Sequence, residues 1–166
     1  LINSASFGLP KPVHSIKQSL VLLGSKEIQK WASLIVMTGI ASDKPDELII
    51  HSLARGKSCE LLAAHVGMLS RAPDLFLMGL FSMLDGIIDR PLKEILLDIP
   101  FEEDLKAALL GKPGHPRKIL DLVLAQEMGL WRVLSYIADS LRLPENLLQD
   151  IYIEAIRWAE QTFKCE

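Results

Sequence analysis

The sequence is poor in the features that mark most specialised proteins. Its two cysteines, Cys59 and Cys165, lie far apart and form no CxxC pair, which argues against a disulfide-stapled scaffold and suits a reduced, cytoplasmic chain. Both read as ordinary thiols. No run of Lys or Arg exceeds two residues, and the net charge is −3 with a pI near 5.8, so no overall positive field is available to hold a phosphate backbone. Nucleic acid is not an expected partner. The longest apolar windows, 31–41 and 75–88, fall short of the ~20 residues a spanning helix needs, and the second contains Asp85. Buried helices explain them, and no membrane insertion is expected. No basic segment precedes an apolar run, and the first residue is Leu1 rather than Met; the expectation is a piece of a longer chain without a signal peptide.

Strand-type alternation of Val, Ile and Thr is also nearly missing, while helix punctuation recurs from end to end. An all-α domain is predicted. The 166 residues are 49% hydrophobic and 23% charged, with a mean hydropathy of +0.26, which is ample for one core. Expected helices cover 15–23, with Ile16, Leu20 and Leu23 on one face and Gly24 as a left-handed cap, and then 25–38, stopped by Gly39. A third starts at "SDKPDE", with Pro45 in its first turn and Asp46 and Glu47 complementing its dipole, and runs to Val66. A fourth runs from Pro73 to about Ile88, and a short segment covers 92–97. The remaining helices are expected over 102–110, 117–128, 131–141 and 144–163. "GKPGHPRK" is the clearest loop. It divides a core of about 1–110 from a helical extension of about 116–163, within one domain.

The search for chemistry begins with histidine, since hard divalent cations bound by a helical hydrolase need converging carboxylates and imidazoles. His14, His51, His65 and His115 stand beside no Asp and form no i, i+3 or i, i+4 pair. HExxH, Walker, GxSxG and GxGxxG patterns are absent. His51, behind the apolar run "ELII", reads as a structural imidazole; His65 suits the C-terminal end of its helix, and His115 a solvated loop. Asp85 and Asp89, four apart, share a helical face and read as contacts to solvent or to basic partners rather than as an acid/base pair. Glu60 calls for a salt bridge with Arg55 or Lys57. Arg55, set among Leu53, Ala54 and Gly56, reads as a brace to a neighbouring helix terminus or loop carbonyl, with an anion pocket as the sharper alternative. Trp31, Trp131 and Trp158 read as core or interface anchors.

Several stretches resemble one known family. "LINSASFGLPKPVHSIKQSLVLLG" is similar to the opening of HDOD domains through Asn3, Ser4, Ala5, Ser15, Ile16, Leu23 and Gly24. "IQKWASLIVM", "LARGKSCELLA" and "FLMGLFSMLDGIIDRPLKEIL" resemble the HDOD regions found behind EAL domains in bacterial cyclic-diguanylate signalling proteins. "ALLGKPGHPRKILDLVLAQEMGLW" resembles their C-terminal extension. The resemblance implies the compact helical core of HD-type phosphohydrolases without their metal ligands. Ser82-Met83 stands where those enzymes carry His-Asp, and His51 corresponds to their earlier histidine. Helices usually found upstream of the opening motif are not in this sequence.

The expected function is therefore a non-catalytic regulatory or protein-interaction domain, without cofactor or metal, of a cytoplasmic signalling protein. Expected partners are an attached or separate EAL or other signalling domain, or a second copy in a homodimer. A ligand sensor is the alternative, with Arg55, His51 and Ser82 lining a vestigial cleft for a small anion or nucleotide. A cryptic phosphohydrolase using His51, Asp85 and Asp89 is the weaker one. The candidate positions are His51, Arg55, Glu60, Ser82 and Asp85.

Overall fold

A computed structural model describes residues 44–164 together with Ala32 and Ser33. The helices expected over 15–23 and 25–38, and the readings of His14, Trp31 and Cys165, lie outside the described residues. Among the described residues the architecture is all-α, without strands. Eight α-helices follow in order: α1 (Asp46–His65), α2 (Ala72–Phe81), α3 (Leu84–Ile88), α4 (Leu92–Asp98), α5 (Glu103–Leu109), α6 (His115–Glu127), α7 (Trp131–Leu141) and α8 (Glu145–Lys164). A single 3₁₀ turn, Leu69–Arg71, leads into α2.

Helix α1 is the central element. Pro45 forms its N-cap, Asp46 and Glu47 occupy its first turn, and Gly67, with φ +72°, turns the chain away just past its end. It packs most extensively on α2 and α8, and also meets α6. This arrangement explains why its buried positions run almost all the way round, from Ile49 and Leu53 to Cys59 and Leu62.

Two glycines set the α1–α2 crossing. A Cβ on Gly79 would lie 2.7 Å from the Arg55 carbonyl oxygen and 2.8 Å from the Gly56 Cα, and one on Gly56 would lie 2.9 Å from the Phe76 carbonyl oxygen. The two backbones therefore touch, which only residues without a Cβ permit. Ser52, one turn before Gly56, donates its hydroxyl to the Leu80 carbonyl at 2.8 Å across the same contact. Every residue of α2 from Leu75 to Phe81 is buried, as befits a helix enclosed on all sides.

Helix α8 lays Trp158 edge-on to Phe76 of α2, with ring centroids 5.7 Å apart, and Lys57 sits 5.2 Å from the centre of the same indole. Trp158 is an anchor of the core. Trp131, by contrast, is 64% exposed at the start of α7, so it is not a core residue. Within the extension, Gln126 of α6 donates to the Leu148 carbonyl of α8, while Arg117 caps the end of α5 through the Ala108 carbonyl. Arg71 braces the 3₁₀ turn to α5 by ion pairs with Glu102 and Asp104.

Two helix boundaries depart from the sequence reading. The helix expected from Pro73 to about Ile88 is broken into α2 and α3, and the break falls at Ser82-Met83. There the Ser82 hydroxyl donates back to the Gly79 carbonyl at 2.7 Å, while its N–H is shared between Met78 and Gly79. Such local hydrogen bonding competes with helix continuation. Met83 follows in the bridge region, with φ −117° and ψ 8°. In the second case, α6 starts at His115 rather than Arg117, because Pro116 is suited to the first helical turn. His115 is exposed there.

Candidate functional site

The α1–α2 contact places three side chains of the sequence-predicted set close together. His51 and Arg55, one turn apart on α1, point toward the end of α2 and toward α6. Ser82 caps α2. Arg55 donates from Nη1 to the Ser82 hydroxyl oxygen at 2.9 Å, and that hydroxyl passes its own proton to the Gly79 carbonyl. Both roles of the hydroxyl are thereby used.

The residue that completes the cluster is Glu127, which the sequence reading did not single out. Arg55 grips its carboxylate through Nε, 3.0 Å from both oxygens, and through Nη2, 2.6 Å from Oε2. His51 Nε2 lies 3.1 Å from the same Oε2. The side chains of Glu127 and Arg55 are only 6% and 11% exposed, whereas that of His51 is 44% exposed. The centre is thus a buried, forked ion pair with a half-open imidazole at its edge.

Glu127 is the last residue of α6, where the partial negative end of the helix disfavours a carboxylate. Burial pushes its pKa up, but the hydrogen bonds from His51 and Arg55 and the charge of Arg55 together outweigh that and hold it below the ordinary carboxylate range. The carboxylate is therefore ionised at neutral pH. Arg55 does reach two helix ends, those of α2 and α6, but through side-chain oxygens and not through a loop carbonyl.

Two neighbours feel this cluster. Cys59, a free and fully buried thiol one turn beyond Arg55, is pushed up to about 12 by burial first and by the negative charge of Glu127 second, against a lowering by Arg55. Such a thiol is no nucleophile. Tyr152 on α8 is likewise raised, by burial and then by Glu127, with Arg55 opposing.

The other candidates fall elsewhere. Glu60 pairs with Lys57 at 2.8 Å, on the side of α1 that carries the lysine over Trp158. Asp85 is exposed and accepts from the Gly86 N–H at 3.0 Å. Asp89 does not continue the face of Asp85: it leaves α3 in the left-handed conformation, with φ 55°, and pairs with Lys44 at 2.5 Å. His51, Asp85 and Asp89 are therefore committed to three different partners. Among the described residues no group of three or more His, Cys, Asp or Glu is placed to hold a metal ion. Phe81 and Leu84 are buried on either side of Ser82, and Met83 packs against the same core. The side chains around Ser82 are thus packed, and Arg55 is already paired with the Glu127 carboxylate.

A signal for Glu127 was present in the sequence. It continues the apolar stripe of α6 through Ile119, Leu120 and Val123, and an acid on such a stripe requires a buried cation. Arg55 was the matching anomaly on another helix.

Comparison with known sequences agrees with this architecture. The HDOD domain family matches residues 1–88, and the chain belongs to that family. Relatives align over nearly the full length. One is the cyclic di-GMP phosphodiesterase CdgJ of Vibrio cholerae serotype O1, 31% identical over 159 residues, which are 96% of this chain and 37% of the relative. Another is the uncharacterized protein YuxH of Bacillus subtilis strain 168, 31% identical over 160 residues, or 95% of this chain and 38% of that protein. The chain thus spans well under half the length of these relatives. No solved structure matches it. Among the described residues, no helix is long and apolar enough to cross a membrane.

Proposed function

We propose that this chain is a regulatory, protein-interaction domain of bacterial cyclic di-GMP signalling, acting in the cytoplasm without catalysis of its own and joined to, or docking on, an EAL-type domain. The observation that carries this reading is the Arg55–Glu127 pair. A guanidinium lies among His51, Ser82 and Glu127, the surroundings in which a hydrolase of this lineage would hold its cation, and it already occupies both oxygens of the available carboxylate. The chemistry of the residues then serves to lock α6 to α1, so that the extension and the core move together. The name of the Vibrio relative supports the pathway. A sensor for small anions would have to displace Glu127 from Arg55 and leave that carboxylate buried with His51 alone, which weighs against it.

Binding is the test. Isothermal titration of the purified chain with an EAL domain, or with the remainder of its own longer protein, should show a saturable complex. Pull-downs from the same mixtures should agree. No association with any such domain would remove the basis of the proposal.

A further inference from the structure

Resting on that protein-interaction reading, we infer that the groove between α4 and α5 is the docking surface, and that its occupant is an acidic, Leu-striped helical segment of a partner protein. The groove encloses about 220 Å³ and lies apart from the Arg55 cluster. Each of its two helices contributes a lysine and, one turn later, a leucine: Lys93 and Leu97 on α4, Lys106 and Leu110 at the end of α5. Residues four apart share a helix face. The groove is therefore an apolar trough between two Lys–Leu edges.

The apolar part is unusually open. Leu97 is 79% exposed and Leu110 43%, although both flank a core that buries Ile95, Leu96, Leu105 and Leu109. A third lysine, Lys112, is fixed at the mouth by the turn that ends α5. Its N–H bonds to the Ala107 carbonyl at 2.9 Å and that of Gly111 to Ala108 at 3.1 Å, with Gly111 at φ +80°, a Schellman closure. Where that motif favours an apolar residue, the chain places a cation.

Charge decides what fits. Three lysines line the groove against one acid, Glu103, which reaches Lys106 at 3.8 Å, while Glu94 of α4 turns to Arg90. The lining is thus net +2 in a chain whose total is −3. An apolar ridge flanked by Glu or Asp satisfies both the leucines and the lysines. An anionic membrane surface fits less well: helices this short offer no extended amphipathic face, and a lipid-binding patch gathers roughly 4–8 cations without interleaved acids. Only three lysines line this groove, and Glu103 stands among them.

The test uses the full chain and three exposed-site variants, Leu97→Glu, Leu110→Glu and the double change Lys93→Glu with Lys112→Glu. The probe is a fluorescein-labelled amphipathic peptide of about 15 residues with a Leu stripe and Glu flanks, compared with the same stripe flanked by Lys. Anisotropy should show binding of the Glu peptide alone, weakened by about tenfold or more in each variant and by added salt. Unchanged thermal melting of the variants would assign the loss to the surface. Equal binding of both peptides, no binding of the Glu peptide, indifference to the variants, or competition by vesicles of phosphatidylcholine and phosphatidylglycerol would overturn the proposal. If the complex with an EAL domain forms but ignores all three variants, the groove is wrong and the functional reading stands; if no such complex forms, that reading fails first.

Discussion

Removing either half of the Arg55–Glu127 pair is expected to cost far more than removing both. In Glu127→Leu, the guanidinium loses three nitrogen–oxygen contacts of 2.6 to 3.0 Å and keeps only the Ser82 hydroxyl, inside a site where its side chain is 11% exposed. Breaking a buried pair in this way costs about 3–5 kcal/mol. Arg55→Met leaves the carboxylate one partner, His51 at 3.1 Å, and the cost should sit at the lower end of the range. In the double variant no charge is left uncompensated, and stability should return to within about 1 kcal/mol of the parent. Urea unfolding followed by circular dichroism measures all four corners of the cycle. Thermal midpoints should fall by roughly 2–4 °C per kcal/mol in the single variants. The reasoning fails if the single changes cost less than about 0.5 kcal/mol, or if the double change costs their sum.

Three further outcomes follow from the same geometry. Because Glu127 is held below its ordinary value of 4.5, its contribution is fully present above that value and is lost as pH falls through the depressed one; the parent should therefore lose more urea resistance between neutral and acid pH than the Arg55→Met, Glu127→Leu double variant does. Cys59, buried and pushed up to about 12, should resist iodoacetamide at mildly alkaline pH in the folded chain and react once urea unfolds it, as peptide mass mapping will report. Gly79→Ala should destabilise by about 2 kcal/mol or more, since the new Cβ meets backbone at 2.7 to 2.9 Å, whereas Gly86→Ala, with nothing within 4 Å, should be neutral or gain up to about 1 kcal/mol of helix propensity; both are read from the same unfolding curves.

Much of the helical plan was legible in the sequence because its stops are chemically strong. Pro45 with Asp46 and Glu47, and Gly67 beyond them, bracket α1 within a residue or two of where it forms. Gly111 ends α5 in the same way. The break at Ser82-Met83 was not legible, because "GLFSMLDG" is apolar enough to read as one helix, and a serine inside such a run does not by itself announce the bond its hydroxyl makes to the Gly79 carbonyl. The site was half legible. Arg55, His51 and Ser82 could be picked out singly as polar residues on apolar faces, but their meeting requires the Gly56–Gly79 crossing, and no local pattern encodes which helices cross. Glu127 lay 72 positions from Arg55, at the end of its helix's apolar stripe. Only the pairing of two anomalies, a buried cation and a buried anion, would have found it.

The proposed exchange of hydrolysis for an internal brace at this helical centre is open to a direct assay. Incubation of the purified chain with cyclic di-GMP and Mg²⁺ or Mn²⁺, followed by chromatography of the nucleotides, tests it most directly. No turnover above the buffer control is expected, in the parent and in His51→Ala alike. Turnover by the parent that His51→Ala abolishes would contradict it.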